Sequence, residues 1–195
     1  MNWSRVKVTT PPAAYPISVS EVKSHLRVDH DDEDAEIEQS LKAAIRRIDG
    51  PNGIGYALVT QTWTYVLDGF ETPIELPGAP VAGITSIAYI DTDGTTQTLD
   101  TADYRLVSEV IPSVIEPAYG TAWPATRAVA GAVTVVYTIG VAAADVPADL
   151  TEAVAQIAAH FHENREAVAI GVSVKDMPLA AVSVLDGYRQ RWIAG

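Results

Sequence analysis

The spacing of apolar residues changes twice along this chain, and a fold must accommodate both changes. Before Asp49 the apolar positions recur three and four apart. Between about residues 58 and 141 they alternate, and after Pro147 the helical spacing returns. Helices and strands present side chains with different periods, so no single element runs through either boundary. The expected architecture is therefore α+β. A small helical bundle of about four helices carries a β-rich insertion, at about 58–141, between its second and third helices.

The first helix has explicit start signals. Ser18 and Glu21 have the S-x-x-E spacing of a capping box, and Ile17 and Val22 occupy the positions of a hydrophobic staple. Val19, Val22 and Leu26 form its apolar stripe, which should stop near Val28. Acidic side chains crowd residues 29–38, DHDDEDAEIE, where they favour the positive end of a second helix. That helix places Ile37, Leu41, Ala44, Ile45 and Ile48 on one face. Lys42, Arg46 and Arg47 come late in it, toward the negative end. Asp49-Gly50-Pro51 ends it, because glycine suits a left-handed cap and proline cannot continue a helix.

Alternation is clearest over 62–67 and over 132–139, AVTVVYTI. Residues 84–90 read as a strand, Asp93-Gly94 as a hairpin turn and 95–99 as the returning strand. Short strands are expected over 104–107 and 110–115. The third helix carries Leu150, Val154, Ile157, Ala158 and Phe161 in one stripe. A last helical segment starts near Pro178, with Val182, Leu185, Tyr188 and Trp192 on one side and Gly187 weakening it. The chain thus divides into an extended arm, 1–16, the bundle with its insertion, 17–177, and a terminal segment, 178–195.

Composition narrows the functions. The chain has 195 residues, 48% of them apolar, enough for one real core. It carries 25 acidic against 13 basic residues, a net charge of −12. Such a surface repels a phosphate backbone, which argues against sequence-specific DNA binding, although a repulsive wall can line a channel. There is no cysteine, which excludes disulfides and thiolate metal sites and fits assembly in a reducing cytosol. No signal peptide or membrane span is expected, since the uncharged run between Arg127 and Asp145 is short and β-branched.

Residues 160–166, HFHENRE, hold half of the four histidines. His160 and His162 are two apart and leave a helix on different sides, and Glu166 stands where a zinc-protease motif needs its second histidine. The polar end of a helix is the better reading, with Asn164, Arg165 and Glu166 as structural helix-end residues. Asp29, Asp31 and Glu33 have the spacing of a calcium loop, but Asp34 replaces its glycine and Ser40 its closing glutamate. No nucleophile elbow, phosphate loop or dinucleotide fingerprint is present. Tyr119 and Trp123 read as covers for an inter-strand loop. No catalytic residue, cofactor site or metal site is expected. The terminal segment, with Tyr188, Arg189, Arg191 and Trp192, has the residue types that anchor interfaces.

Several stretches, in order, carry a resemblance: PISVSEVKSHLRVDHDDED, IDGPNGIGYALVTQTWTYVLDGF, IELPGAPVAGITSIAYIDTDG, IEPAYGTAWPATRAVAGAVTVVYTIG, VPADLTEAVAQIAAHFHENREAV and LDGYRQRW. Together they resemble the head–tail connector, or adaptor, family of long-tailed phages and phage-derived gene transfer agents. The resemblance implies a structural subunit of a ring, typically twelvefold, under the portal of a filled capsid. The ring would continue the DNA channel without sequence-specific contacts and present a surface for the tail, in a particle assembled in the bacterial cytoplasm. It implies as partners the portal protein, a stopper or tail-completion protein, other copies of the chain and the passing double-stranded DNA, with no membrane. By position in the terminal segment, Leu185, Tyr188, Arg189 and Trp192 become portal-interface candidates. Asp31, Asp32, Glu33 and Asp34 become channel-lining candidates. The sequence departs from the family at Ile139-Gly140-Val141, where a TAGY-like strand end is usual. Two other readings stand beside this one: a neighbouring tail-completion or stopper protein, and a divalent-metal hydrolase using His160, Glu163 and nearby aspartates.

Overall fold

A computed structural model describes residues 3–164 and 177–190. Among these residues it is an α+β structure with four α-helices and two antiparallel sheets. Strand β1 (Val6–Thr10) comes first, then helices α1 (Val19–Leu26) and α2 (Asp34–Ile48). Next come β2 (Gln61–Leu67), β3 (Ile74–Glu75), β4 (Val81–Ile90), β5 (Thr96–Thr98), β6 (Tyr104–Val107), β7 (Val114–Pro117) and β8 (Val133–Ile139). Helices α3 (Ala148–Glu163) and α4 (Leu179–Tyr188) follow.

The helices form where local chemistry directs them. Both halves of the α1 capping box are made: Glu21 N–H donates to Ser18 Oγ at 3.2 Å, and Ser18 N–H donates to Glu21 Oε2 at 2.6 Å. Arg27 stops α1 in a left-handed conformation, with φ of 59°. Ile37, Leu41, Ala44 and Ile48 of α2 are fully buried against α3, whose Leu150, Val154, Ile157 and Ala158 meet them. Helix α4 runs through Gly187 because Ala181 and Leu185 are buried on α3, and that packing outweighs the glycine's propensity.

The larger sheet has the order β1-β2-β8-β4-β5 and the smaller β3-β7-β6. Along β2 and β8 every second residue is buried, so Trp63 and Tyr65 meet Tyr137 and Val135 across the ladder in a second core. Trp63 and Tyr137 stack edge-on with centroids 6.2 Å apart, and the Tyr137 hydroxyl donates to Pro77 O at 2.7 Å. Gly78, with φ of +84°, lets the chain cross the Trp63 ring, where a Cβ would also meet Ile139 Cδ1 at 2.8 Å.

Two sequence expectations shift here. A strand begins only at Val114, so most of the 110–115 segment is loop; Pro112 has no N–H to give a ladder, and Ile111 faces solvent. Part of the 1–16 arm is strand β1, paired antiparallel with β2.

The two cores meet at the end of α2. Asp49, the α2 C-cap, accepts from Leu58 N–H at 2.8 Å and from Gln61 Nε2 at 3.1 and 3.0 Å. Gln61 Oε1 in turn accepts from Trp63 Nε1 at 3.0 Å. Burial pushes the Asp49 carboxyl up, and the Leu58 and Gln61 donors oppose that rise. Leaving any of these buried donors unpaired costs about 1–3 kcal/mol.

The start of β1 is clamped to the end of β2. Arg5 Nη1 and Nη2 donate to the two Asp68 carboxylate oxygens at 2.7 Å each, and Gly131 N–H donates to Oδ1 at 2.9 Å. These bonds, the Arg5 pair first, hold the Asp68 carboxyl at about 2, below the ordinary aspartate value of about 3.9. A depressed folded pKa stabilises fully above the unfolded value, and the contribution is lost as pH falls toward the folded value. The urea-midpoint difference between wild type and Asp68→Asn should therefore shrink as pH falls from about 4 to about 2. A difference that stays constant across that window would show that the clamp contributes nothing.

Candidate functional site

Two regions gather the side chains singled out in the sequence: the end of α3 with the α1–α2 loop, and the last turn of α4. At the first, the acidic run is held from behind. Lys23 Nζ sits between Asp31 and Asp34, 2.6 Å from Asp34 Oδ1, where a calcium reading would have needed an ion. The two carboxylates raise the Lys23 ammonium, and Lys23 lowers Asp31. Asp32 is the outward member, its side chain 97% exposed. Glu33 turns inward, and its Oε2 lies 2.8 Å from His162 Nε2.

His162 is 8% exposed, so half of the histidine question resolves as a buried contact between the end of α3 and the start of α2. His160 leaves the helix on another side, where Asn164 Nδ2 reaches its Nδ1 at 3.3 Å and donates to its carbonyl at 2.8 Å. Asn164 is the C-cap of α3. Arg165 and Glu166 lie outside the described residues. Among the described residues no three histidine or acidic side chains are placed to hold a metal ion, and no described helix is long and apolar enough to cross a membrane.

The last turn of α4 is tied to the start of α3 and to the segment between α2 and β2. The Tyr188 hydroxyl donates to Asp149 Oδ1 and Oδ2 at 3.0 and 2.9 Å, and its ring meets Tyr56 edge-on at 5.3 Å. Burial and then the Asp149 carboxylate raise the Tyr188 hydroxyl pKa. Gln190 N–H donates to Ile54 O at 2.8 Å. Arg189 is exposed and pairs with Asp186 at 3.1 Å. Leu185 is 2% exposed and packs inward, so within a single folded chain it is a core residue and Arg189 the outward one. Trp192 lies outside the described residues.

Tyr56, Asp149 and Lys23 were missed by sequence reasoning: Asp149 meets Tyr188 from 39 positions away, and Lys23 reaches Asp31 and Asp34 across the α1–α2 loop, outside any helical spacing. Trp123 covers a loop as expected, stacking on Phe70 at 4.8 Å and donating to Glu71 O at 2.8 Å. Tyr119 covers nothing and is fully exposed.

The family model described as phage gp6-like head-tail connector protein matches residues 16–113, half of the chain. A chain in the virion of a native gene transfer agent particle is 26% identical, with TM-score 0.76 and 97% of each chain covered. A chain in the neck of an empty gene transfer agent particle, computed with C6 symmetry, is 27% identical, with TM-score 0.74 and the same coverage. A third, in the neck of a native particle computed with C12 symmetry, is 23% identical with TM-score 0.68 and shares the fold. No curated protein matches.

His162→Ala deletes a buried ring and its Glu33 contact, and is expected to destabilise the chain by about 1–3 kcal/mol in urea unfolding. His160→Ala, on the exposed side, should change stability by less than about 0.5 kcal/mol. Equal effects of the two substitutions would contradict the assignment of His162 as the packed histidine.

Proposed function

The chain belongs to the phage gp6-like head–tail connector family, and from that membership we propose how it works as a structural adaptor at the particle neck. The observation that carries the reading is the family match over residues 16–113. Full-length likeness to chains of gene transfer agent particles supports it. The role is structural, to join a filled head to a tail, and the protein acts by binding rather than by chemistry. We read the strands between α2 and α3 as an insertion into the helical bundle, with the terminal segment from residue 178 as the portal-docking element.

In this proposal copies of the chain form a ring, twelvefold in the particle, beneath the portal. The ring continues the DNA channel and offers its other face to a stopper or tail-completion protein. Particles assemble in the bacterial cytoplasm. Arg189, exposed beside the anchored Tyr188, is the described residue best placed to reach the portal, while Tyr188 and Leu185 hold the segment's base in position. The segment continues into Trp192. The acidic loop supplies the bore-facing charge. Asp32 projects furthest, and Asp31, Glu33 and Asp34 keep the loop's shape through Lys23 and His162. A negative bore gives passing DNA no cation contacts to grip.

Particles made without this protein should be filled heads lacking tails, seen directly by electron microscopy; tailed particles in normal number would end the adaptor reading. Asp31→Asn combined with Asp32→Asn should slow genome ejection from intact particles, and unchanged ejection kinetics would remove these residues from the bore.

A further inference from the structure

Two surface features find no use in the packing of one chain. The first is the loop between β6 and β7. Ile111 is 74% exposed and Val110 44%, with Glu109 exposed beside them. The loop is nonetheless anchored: Leu76 N–H donates to Ser113 O at 2.8 Å, and Ser113 is buried. It is a fixed aliphatic tip with one negative charge.

The second is an open groove of about 340 Å³ where the N-terminal segment crosses the last turn of α2. Val8, Pro12, Tyr15 and Ile45 give it apolar walls, and Lys42 and Arg46 stand exposed at its edge. Lys42 is paired with Glu38 at 3.0 Å. Arg46 forms no ion pair among the described residues. Asp49 also borders the groove, but its oxygens are occupied by Leu58 and Gln61.

We propose that the β6–β7 loop of one copy seats in this groove of the next, with Val110 and Ile111 on its apolar walls and Glu109 against Arg46. The inference rests on the adaptor reading. A chain of net charge −12 repels its own copies, so a contact between them is favoured where an unpaired cation meets a carboxylate. Exposed aliphatic side chains at an anchored tip gain by leaving water, and the groove is the apolar surface that offers it. Tip and groove are different surfaces of one chain, so the contact is heterologous. It repeats from copy to copy in one direction, and it closes into a ring when the rotation allows. Two aliphatic side chains and one ion pair make a small contact. It forms on a particle, where neighbours are already held side by side.

The chain has no cysteine, so an introduced pair reports without background. Ile111→Cys and Asn52→Cys, placed together in one chain and assembled into particles, should give a ladder of covalent multimers after oxidation. Each single variant should give none. Arg46→Glu should lower the amount of protein retained per particle by about tenfold, as should Glu109→Lys, and the two together should restore it. Normal retention of the double-cysteine chain without a ladder overturns the inference and leaves the adaptor reading intact. So does attachment of the Ile111→Cys loop, through a thiol–amine reagent, to another neck component. If the double-cysteine chain is not retained, the charge exchange decides: recovery supports the contact and its absence overturns it. Absence of the wild-type protein from necks removes the adaptor reading itself.

Discussion

One half-buried carboxylate sets the relation between the two cores. Asp49 ends α2, and its oxygens take the Leu58 N–H and the Gln61 amide, while Gln61 takes the Trp63 indole. Asp49 and Leu58 belong to the helical side, and Gln61 and Trp63 open strand β2. The helix axis, the entry of β2 and the largest buried ring are therefore fixed by one set of hydrogen bonds. An apolar residue at 49 would leave those donors in a medium that cannot satisfy them. The polar relay works as a registration device: it says which face of β2 turns toward the core, and the alternation along Trp63, Tyr65 and Leu67 follows.

Charge is distributed with a comparable division of labour. The acidic excess is not uniform repulsion, because several of its carboxylates are paired locally with cations. Lys23 takes Asp31 and Asp34, Arg5 takes Asp68, and Arg105 takes Glu116. Among the described residues, five of the ten lysines and arginines pair with carboxylates and five do not, on a surface that stays negative. On such a surface the remaining cations mark where a carboxylate-bearing neighbour is favoured.

The features legible in the sequence were those decided by neighbours a few positions apart. The α1 capping box, the α2 stripe from Ile37 to Ile48 and the Asp93-Gly94 turn are local, and the structure has each of them. The illegible ones were decided at long range. His162 meets Glu33 across 129 positions, and no spacing rule connects them. Val6–Thr10 is a weak strand pattern that becomes a strand only because β2 offers an edge. Val110 and Ile111 have strand propensity yet sit in a loop, since Pro112 breaks the ladder. Leu185 became a docking candidate only by its position in the terminal segment. Its burial follows from α3, which supplies an apolar face that the sequence of α4 alone does not reveal.

The loop around Gly55 has a mechanical meaning. A Cβ at Gly55 would stand 2.8 Å from the Trp3 ring and 2.9 Å from Gln190 Cβ, so both flanking segments press on one residue without a side chain. Trp3 leans edge-on against Trp63 at 6.3 Å, while Tyr188 is tied to Asp149 at the start of α3. Gly55 therefore joins the last turn of α4 to both sides of the molecule, since Trp3 leads on to the sheet and Tyr188 to the helices, and neither neighbour can shift without disturbing the other.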